Sequence, residues 1–147
     1  MNRGVAVSTV AGFLALSAGS LTGWSGFAGQ FDPTYRAVSG IAVASLIAGQ
    51  WALTLGRTVF ERTGRSWDRW VQVHHLIGLV LPLAVWAHSP HFGYGLLAAL
   101  PLALFASAWF GTRLSAGQQR WLPWHVGLAG LTAAMTLVHL YMVVAYN

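Results

Sequence analysis

The sequence predicts an all-α integral membrane protein, a single domain of five transmembrane helices in a bundle. Three observations carry this. Of 147 residues, 56% are hydrophobic and only 7% charged, roughly a quarter of the usual charged share and too few to cover a soluble domain of this size. Five apolar runs stand near the ~20 residues that a hydrocarbon core about 30 Å thick requires. The charges fall in the gaps between those runs.

The runs are residues 4–24, 37–55, 71–88, 94–110 and 121–146. Lipid offers no partner for a free N–H or C=O, so each must be helical. The first, with Arg3 before it and SAGS near its end, resembles a secretory signal. Because that segment is still present behind Met1, it is read as a helix. The second holds Gln50, the one amide well inside a span; it is a candidate for binding a quinone or for bonding to a neighbouring helix, and the second role is favoured. The fourth run is on the short side. The third and fifth carry five of the six histidines.

Orientation follows from arginine, since the chain has no lysine. Arg57, Arg62, Arg65 and Arg69 lie between the second and third spans, and Arg113 and Arg120 between the fourth and fifth. With Arg3 these stand on one side, against Arg36 on the other. The positive-inside rule then places the N-terminus in the cytoplasm and the C-terminus outside. Trp67, Trp70, Trp121 and Trp124 are expected at the cytoplasmic boundary, and Trp51 and Trp86 deeper, as core. The arginines read as topology markers and not as a nucleic-acid surface. A multi-pass protein of the bacterial cytoplasmic (inner) membrane is expected, with lipid as its main surroundings.

The stretch HHLIGLVLPLAVWAHSPH holds His74, His75, His88 and His91, and the fifth span adds His125 and His139. His74 to His88 and His125 to His139 are both 14 residues. At 100° per residue that is within about 40° of whole turns, with a rise of ~21 Å. Each helix therefore presents two histidines on one face, one near each leaflet. His75, 13 residues before His88, falls about 140° from it and is expected to point elsewhere. His91 belongs to the outer loop. On co-directional helices the pairs define two cross-helix sites, His74 with His125 on the cytoplasmic side and His88 with His139 on the outer side. Two opposed neutral imidazoles suit the axial positions of haem iron, so the expectation is two haem b groups. Between the ligands lie Gly78, Leu81 and Val85 on the third span, and Ala129, Thr132 and Thr136 on the fifth. Gly78 and the small residues leave room for a macrocycle, and the threonine hydroxyls can meet polar edges or backbone carbonyls. Arg69, Arg113 and Arg120 are candidate partners for haem propionates.

Absences narrow the function. No cysteine is present, which excludes disulfides, thiolate-held iron–sulfur clusters and covalently attached c-type haem. Asp32, Glu61 and Asp68 are the only acids and all lie in gaps, which weighs against proton pumps and cation-coupled transporters. No phosphate-binding glycine fingerprint and no hydrolytic triad is found. Redox chemistry carried by a bound cofactor remains.

HHLIGLVLPLAVWAH resembles the ligand helix of the ferric reductase-like transmembrane domain superfamily, which includes iron reductases, NADPH oxidases and the membrane subunit of the bacterial methionine sulfoxide reductase system. His74, Gly78 and His88 match its pattern, and His75 stands where a basic residue is common. WHVGLAGLTAAMTLVHLY resembles the second ligand helix through His125 and His139. The resemblance covers about residues 67–146; the first two spans match only as generic helices. It implies one-electron transfer from a cytoplasmic donor, through inner and then outer haem, to an acceptor outside. A sixth helix and the flavin and nicotinamide domain are missing from the pattern, so the donor is expected to be a separate flavoprotein subunit or a membrane quinol. Respiratory cytochrome b shares the two-pair ligation, but its quinol sites use longer loops than SPHFG. The rivals are a haem-containing anchor subunit of a larger redox complex and, ranked lower, a pigment-binding protein or metal transporter.

Overall fold

In the computed structural model the described residues are 3–23, 28–60, 67–89, 91–114 and 117–146, with backbone alone at 28, 57–60, 67 and 68. They form α1 (Arg3–Thr22), α2 (Pro33–Phe60), α3 (Trp67–His88), α4 (Leu96–Leu114) and α5 (Leu122–Tyr146), joined in part by short 3-10 turns at Ala28–Phe31 and Gln119–Trp121. No strand occurs among the described residues. All five helices are long and apolar enough to cross a membrane. The side chains of Trp24, Arg57, Glu61, Arg62, Arg65, Trp67 and Asp68, which entered the expectations above, lie outside the described residues.

The helices outrun the apolar spans where polar residues cap them. α2 starts at Pro33, four residues before the apolar run. The Asp32 carboxylate accepts the Tyr35 backbone N–H at 2.7 Å, and proline takes the first helical position, where its missing N–H costs nothing. α1 stops at Gly23, whose φ of 70° is the left-handed conformation that closes a helix. Its N–H bonds to the Gly19 carbonyl at 2.9 Å.

Cross-helix bonds set the directions. Ser8 donates to the Leu79 carbonyl and the Phe92 N–H donates to Ser20 Oγ at 3.0 Å, so α1 and α3 run parallel. Gln50 Nε2 donates to the His74 carbonyl at 2.9 Å, and the Tyr35 hydroxyl to that of Ala87 at 3.0 Å, so α2 is antiparallel to α3. α4 packs antiparallel on α5, with Ser107 against His125 and Phe110 stacked on Trp121 at 5.1 Å. α1 also packs on α4 and α2 on α5, which closes a ring in the order α1, α3, α2, α5, α4. Backbone packing between α3 and α5 is not extended.

Apolar packing fills the middle of the ring. Leu16, Val43, Ile47, Leu81, Val85, Leu104 and Phe105 form the core, with Trp51, Trp86 and Phe92 against it. The expected deep placement of Trp51 and Trp86 is met. Leu81 and Val85, expected between the ligands, belong to this core. The outer surface is apolar too, with Val144 82% and Leu21 86% exposed. So much exposed apolar surface suits acyl chains and not water.

Several buried hydroxyls are satisfied by carbonyls of their own helices. Thr9 donates to Val5, Thr112 to Trp109, Thr132 to Leu128 and Thr136 to Thr132, all at 2.7–2.8 Å. These bonds stay within single helices and tie no two helices together, so close approach of backbones decides more. The tightest approach is Gly12, where an added Cβ would stand 2.8 Å from the Pro82 carbonyl oxygen and 3.2 Å from the Phe105 ring. Backbone cannot yield as a flexible side chain can. Gly12→Ala is therefore expected to destabilise the bundle by about 1–3 kcal/mol, read as a lower thermal midpoint in detergent; an unchanged midpoint would refute this α1–α3 contact.

Candidate functional site

A cavity of about 510 Å³ opens inside the ring, and all five helices contribute to its wall. That volume is within the ~300–1,000 Å³ typical of cofactor sites. Its features follow from the sequence. α3 turns His74, His75 and Gly78 to it, and α5 turns His125, Ala129 and Thr132. Pro82 lacks the N–H that would bond the Gly78 carbonyl, so the α3 ladder is open beside the cavity.

His74 and His125 meet across this space, with ring centroids 6.0 Å apart and planes at 81°. Two imidazoles on opposite sides of one metal, at metal–nitrogen distances of about 2 Å, have centroids about 6 Å apart. At that separation the two imidazoles are near enough to serve one group held between them.

His125 is oriented by α4. Its Nδ1 lies 2.8 Å from the Ser107 carbonyl oxygen, which only accepts, so the proton is on Nδ1 and Nε2 keeps its lone pair. The Ser107 hydroxyl donates to the His125 carbonyl at 3.1 Å, tying side chain and backbone of the same residue. The ring lies on Gly111, where an added Cβ would come within 3.0 Å of Cε1. This is the arrangement in which a metal-binding histidine has its second nitrogen fixed and its ring made more basic.

His88 has the same kind of seat on α2. Its Nδ1 is 3.0 Å from Ser39 Oγ, and Cε1 would meet a Cβ at Gly40 at 3.0 Å. His139 and Arg36 lie within its electrostatic reach. His74 and His139 have no ring hydrogen bond among the described residues, so each pair combines one anchored and one unanchored imidazole. His74 adjoins His125 near one end of the two helices, and His88 and His139 both lie toward the other end.

The two ends differ. The cavity wall includes His74 and His125 but neither His88 nor His139. Gly78 and Thr132 line it as expected; Thr136 is buried on the same face of α5 but beyond it. Contrary to expectation, His75 also lines the cavity. A neighbour 100° round the helix still borders a space this wide. Arg69 and Arg120 do not line it. Arg69 is exposed, and Arg120 lies over the Trp121 ring at 5.2 Å, as Arg113 does over Trp109. A cation on an adjacent indole face is held at the end of the bundle. His91 is exposed in the loop after α3.

Sequence reasoning singles out Gln50 and Trp51 but not the seats, nor Val5, Thr54 and Trp70 as residues of the wall. Val5, Gln50, Trp51 and Thr54 all line the cavity, as does Trp70. Gln50 bonds a neighbouring helix, as favoured, yet its Oε1 is buried without a partner. Trp51 ties α2 to α5 by donating to the Ala129 carbonyl at 3.2 Å. A readable signal existed: Ser39–Gly40 and Ser107…Gly111 are small residues at the same depth as His88 and His125.

Among the described residues no three His, Cys, Asp or Glu side chains converge to hold a metal ion. Two imidazoles are a small donor set for a bare ion, and a macrocycle that brings four equatorial nitrogens supplies the rest. The residues present fit haem on that ground. The chain matches no protein-family model, and no significant match was found among curated proteins or solved structures.

Proposed function

We propose that this chain is a dihaem b-type membrane cytochrome, moving electrons across the bacterial cytoplasmic membrane between a separate donor and an acceptor on the outer side. The observation that carries the reading is the His74–His125 pair, 6.0 Å apart across a cavity of cofactor size, on two helices whose second histidines recur 14 residues on. The likeness to the ferric reductase-like superfamily agrees with this order of ligands. Arginine in the gaps places His74 and His125 toward the cytoplasm and His88 and His139 toward the outside.

Bound haem supplies a one-electron iron couple; the chain's own residues do the rest. His74 and His125 would hold one haem and His88 and His139 the other. Ser107 and Ser39 hold imidazole orientation through Nδ1. Core residues Leu81, Val85, Leu104 and Phe105 exclude water between the two sites and keep the dielectric low. The donor is a separate flavoprotein or a membrane quinol. Partner subunits bind a chain that has little mass outside its helices.

The decisive experiment is a pyridine haemochrome assay with a reduced-minus-oxidised spectrum of the purified protein. Two haem b per chain are expected, and protein without haem would sink the proposal. His125→Ala and His88→Ala are each expected to lower the content to one, while His91→Ala keeps two. If His88→Ala disperses a larger complex yet leaves electron transfer intact, the anchor-subunit reading replaces this one. Gly111→Leu, which drives a side chain into the His125 ring, is expected to weaken haem retention at that site by about 10–100-fold, measured by transfer of haem to an apo-globin acceptor.

A further inference from the structure

We propose that His75 holds the carboxylate edge of the macrocycle bound between His74 and His125, the role expected above of Arg69, Arg113 and Arg120. The inference rests on the dihaem reading and deepens it at the cavity. Its basis is the supply of hydrogen-bond donors in the cavity wall.

Haem b carries two carboxylates on one edge, and a carboxylate taken out of water needs donors. None of the three arginines lines the cavity. The edge must find its donors in the wall itself, and most of those are already committed. The Thr54, Ser107, Thr112 and Thr132 hydroxyls each donate to a backbone carbonyl. The Trp51 N–H goes to Ala129 and the Gln50 amide N–H to the His74 carbonyl; Trp70 has a partner too. Gln50 Oε1 is buried without one, but it only accepts, and a carboxylate gains nothing against it.

Wall side chains with an uncommitted donor remain at three places. His74 is taken up as an axial ligand in the dihaem reading. Gln119 is exposed at the mouth, where water serves it as well as a ligand would. His75 is partly buried on the wall. Its ring stands 6.2 Å from that of His74, with planes at 57°, and makes no hydrogen bond among the described residues. A neutral imidazole always offers one N–H, and a bond to a charged oxygen is of the stronger kind. The step of about 100° from His74 round α3 sets His75 to the side of the line joining His74 and His125. The rim of a group held between those rings falls there.

Transfer to an apo-globin acceptor, compared for haem and for its dimethyl ester in the purified protein, tests this. The ester keeps iron and ring and loses both charges. The phase that His125→Ala removes reports the cavity site. In unsubstituted protein the ester should leave on the order of tenfold faster than haem. His75→Phe, which keeps a ring and has no donor, should speed haem loss on the order of tenfold and leave the ester rate unchanged. His75→Gln, which keeps an N–H, should recover most of the difference. Arg69→Ala and Arg120→Ala should leave the haem-to-ester ratio as it is. Each ratio is read within one variant, so a general loosening of the bundle cancels from it. His75→Ala carries the test if the phenylalanine variant does not fold. Equal effects on haem and ester, no effect on either, no recovery in His75→Gln, or as large a change of ratio in an arginine variant overturn the proposal. Unsubstituted protein that takes up neither porphyrin defeats the dihaem reading itself, a distinct result.

Discussion

Helices α3 and α5 face one another across a space that neither fills, and the candidate site depends on that separation. Left to apolar attraction, two helices with small residues on facing stripes would close to an interaxial distance of about 8–10 Å. Here α1 and α2 clamp α3 from one side, and α4 holds α5 from the other. Trp51 spans from α2 to the Ala129 carbonyl and props the two halves. The His74 and His125 rings then come within 6.0 Å with their planes at 81°, while their backbones stay apart.

The membrane explains why the interior is the polar part of the molecule. Lipid meets mostly apolar side chains, while Ser8, Thr9, Gln30, Ser107, Thr112, Thr132 and Thr136 are buried, where carbonyls can accept from them. α5 shows this most plainly. It is apolar nearly all round, yet its buried side chains are Thr132 and Thr136. His125 and His139 lie on the same stripe. The Thr132 and Thr136 hydroxyls bond to carbonyls of α5 itself, so they satisfy buried groups and do not hold the bundle. Steric contact at Gly12, Gly40 and Gly111 sets how near the helices come.

Glycine and serine together form the seats that hold the His88 and His125 rings against neighbouring helices. The glycine lets the ring lie against a neighbouring helix, and the serine supplies an oxygen for Nδ1. Packing alone would leave the ring free to flip; a hydrogen bond alone would leave it free to swing. The arrangement seats His88 from α2 and His125 from α4, so two of the three helices without the paired histidines help to position the rings.

Much was legible in the sequence because a membrane makes sequence periodicity informative. Composition and run length determined five helices, and the equal 14-residue spacings determined which histidines share a face, since both depend only on helix geometry and on the solvent. Helix ends were less legible, because Asp32 and Gly23 act through single bonds at the limits of apolar runs. Only the tertiary structure decided which helices adjoin, that His75 borders the cavity, and that Arg69 and Arg120 do not. It alone revealed Ser39 and Ser107 as the partners of Nδ1. Those outcomes depend on the order of helices round a ring. Spacing along one chain carries the phase of each helix but not its neighbours.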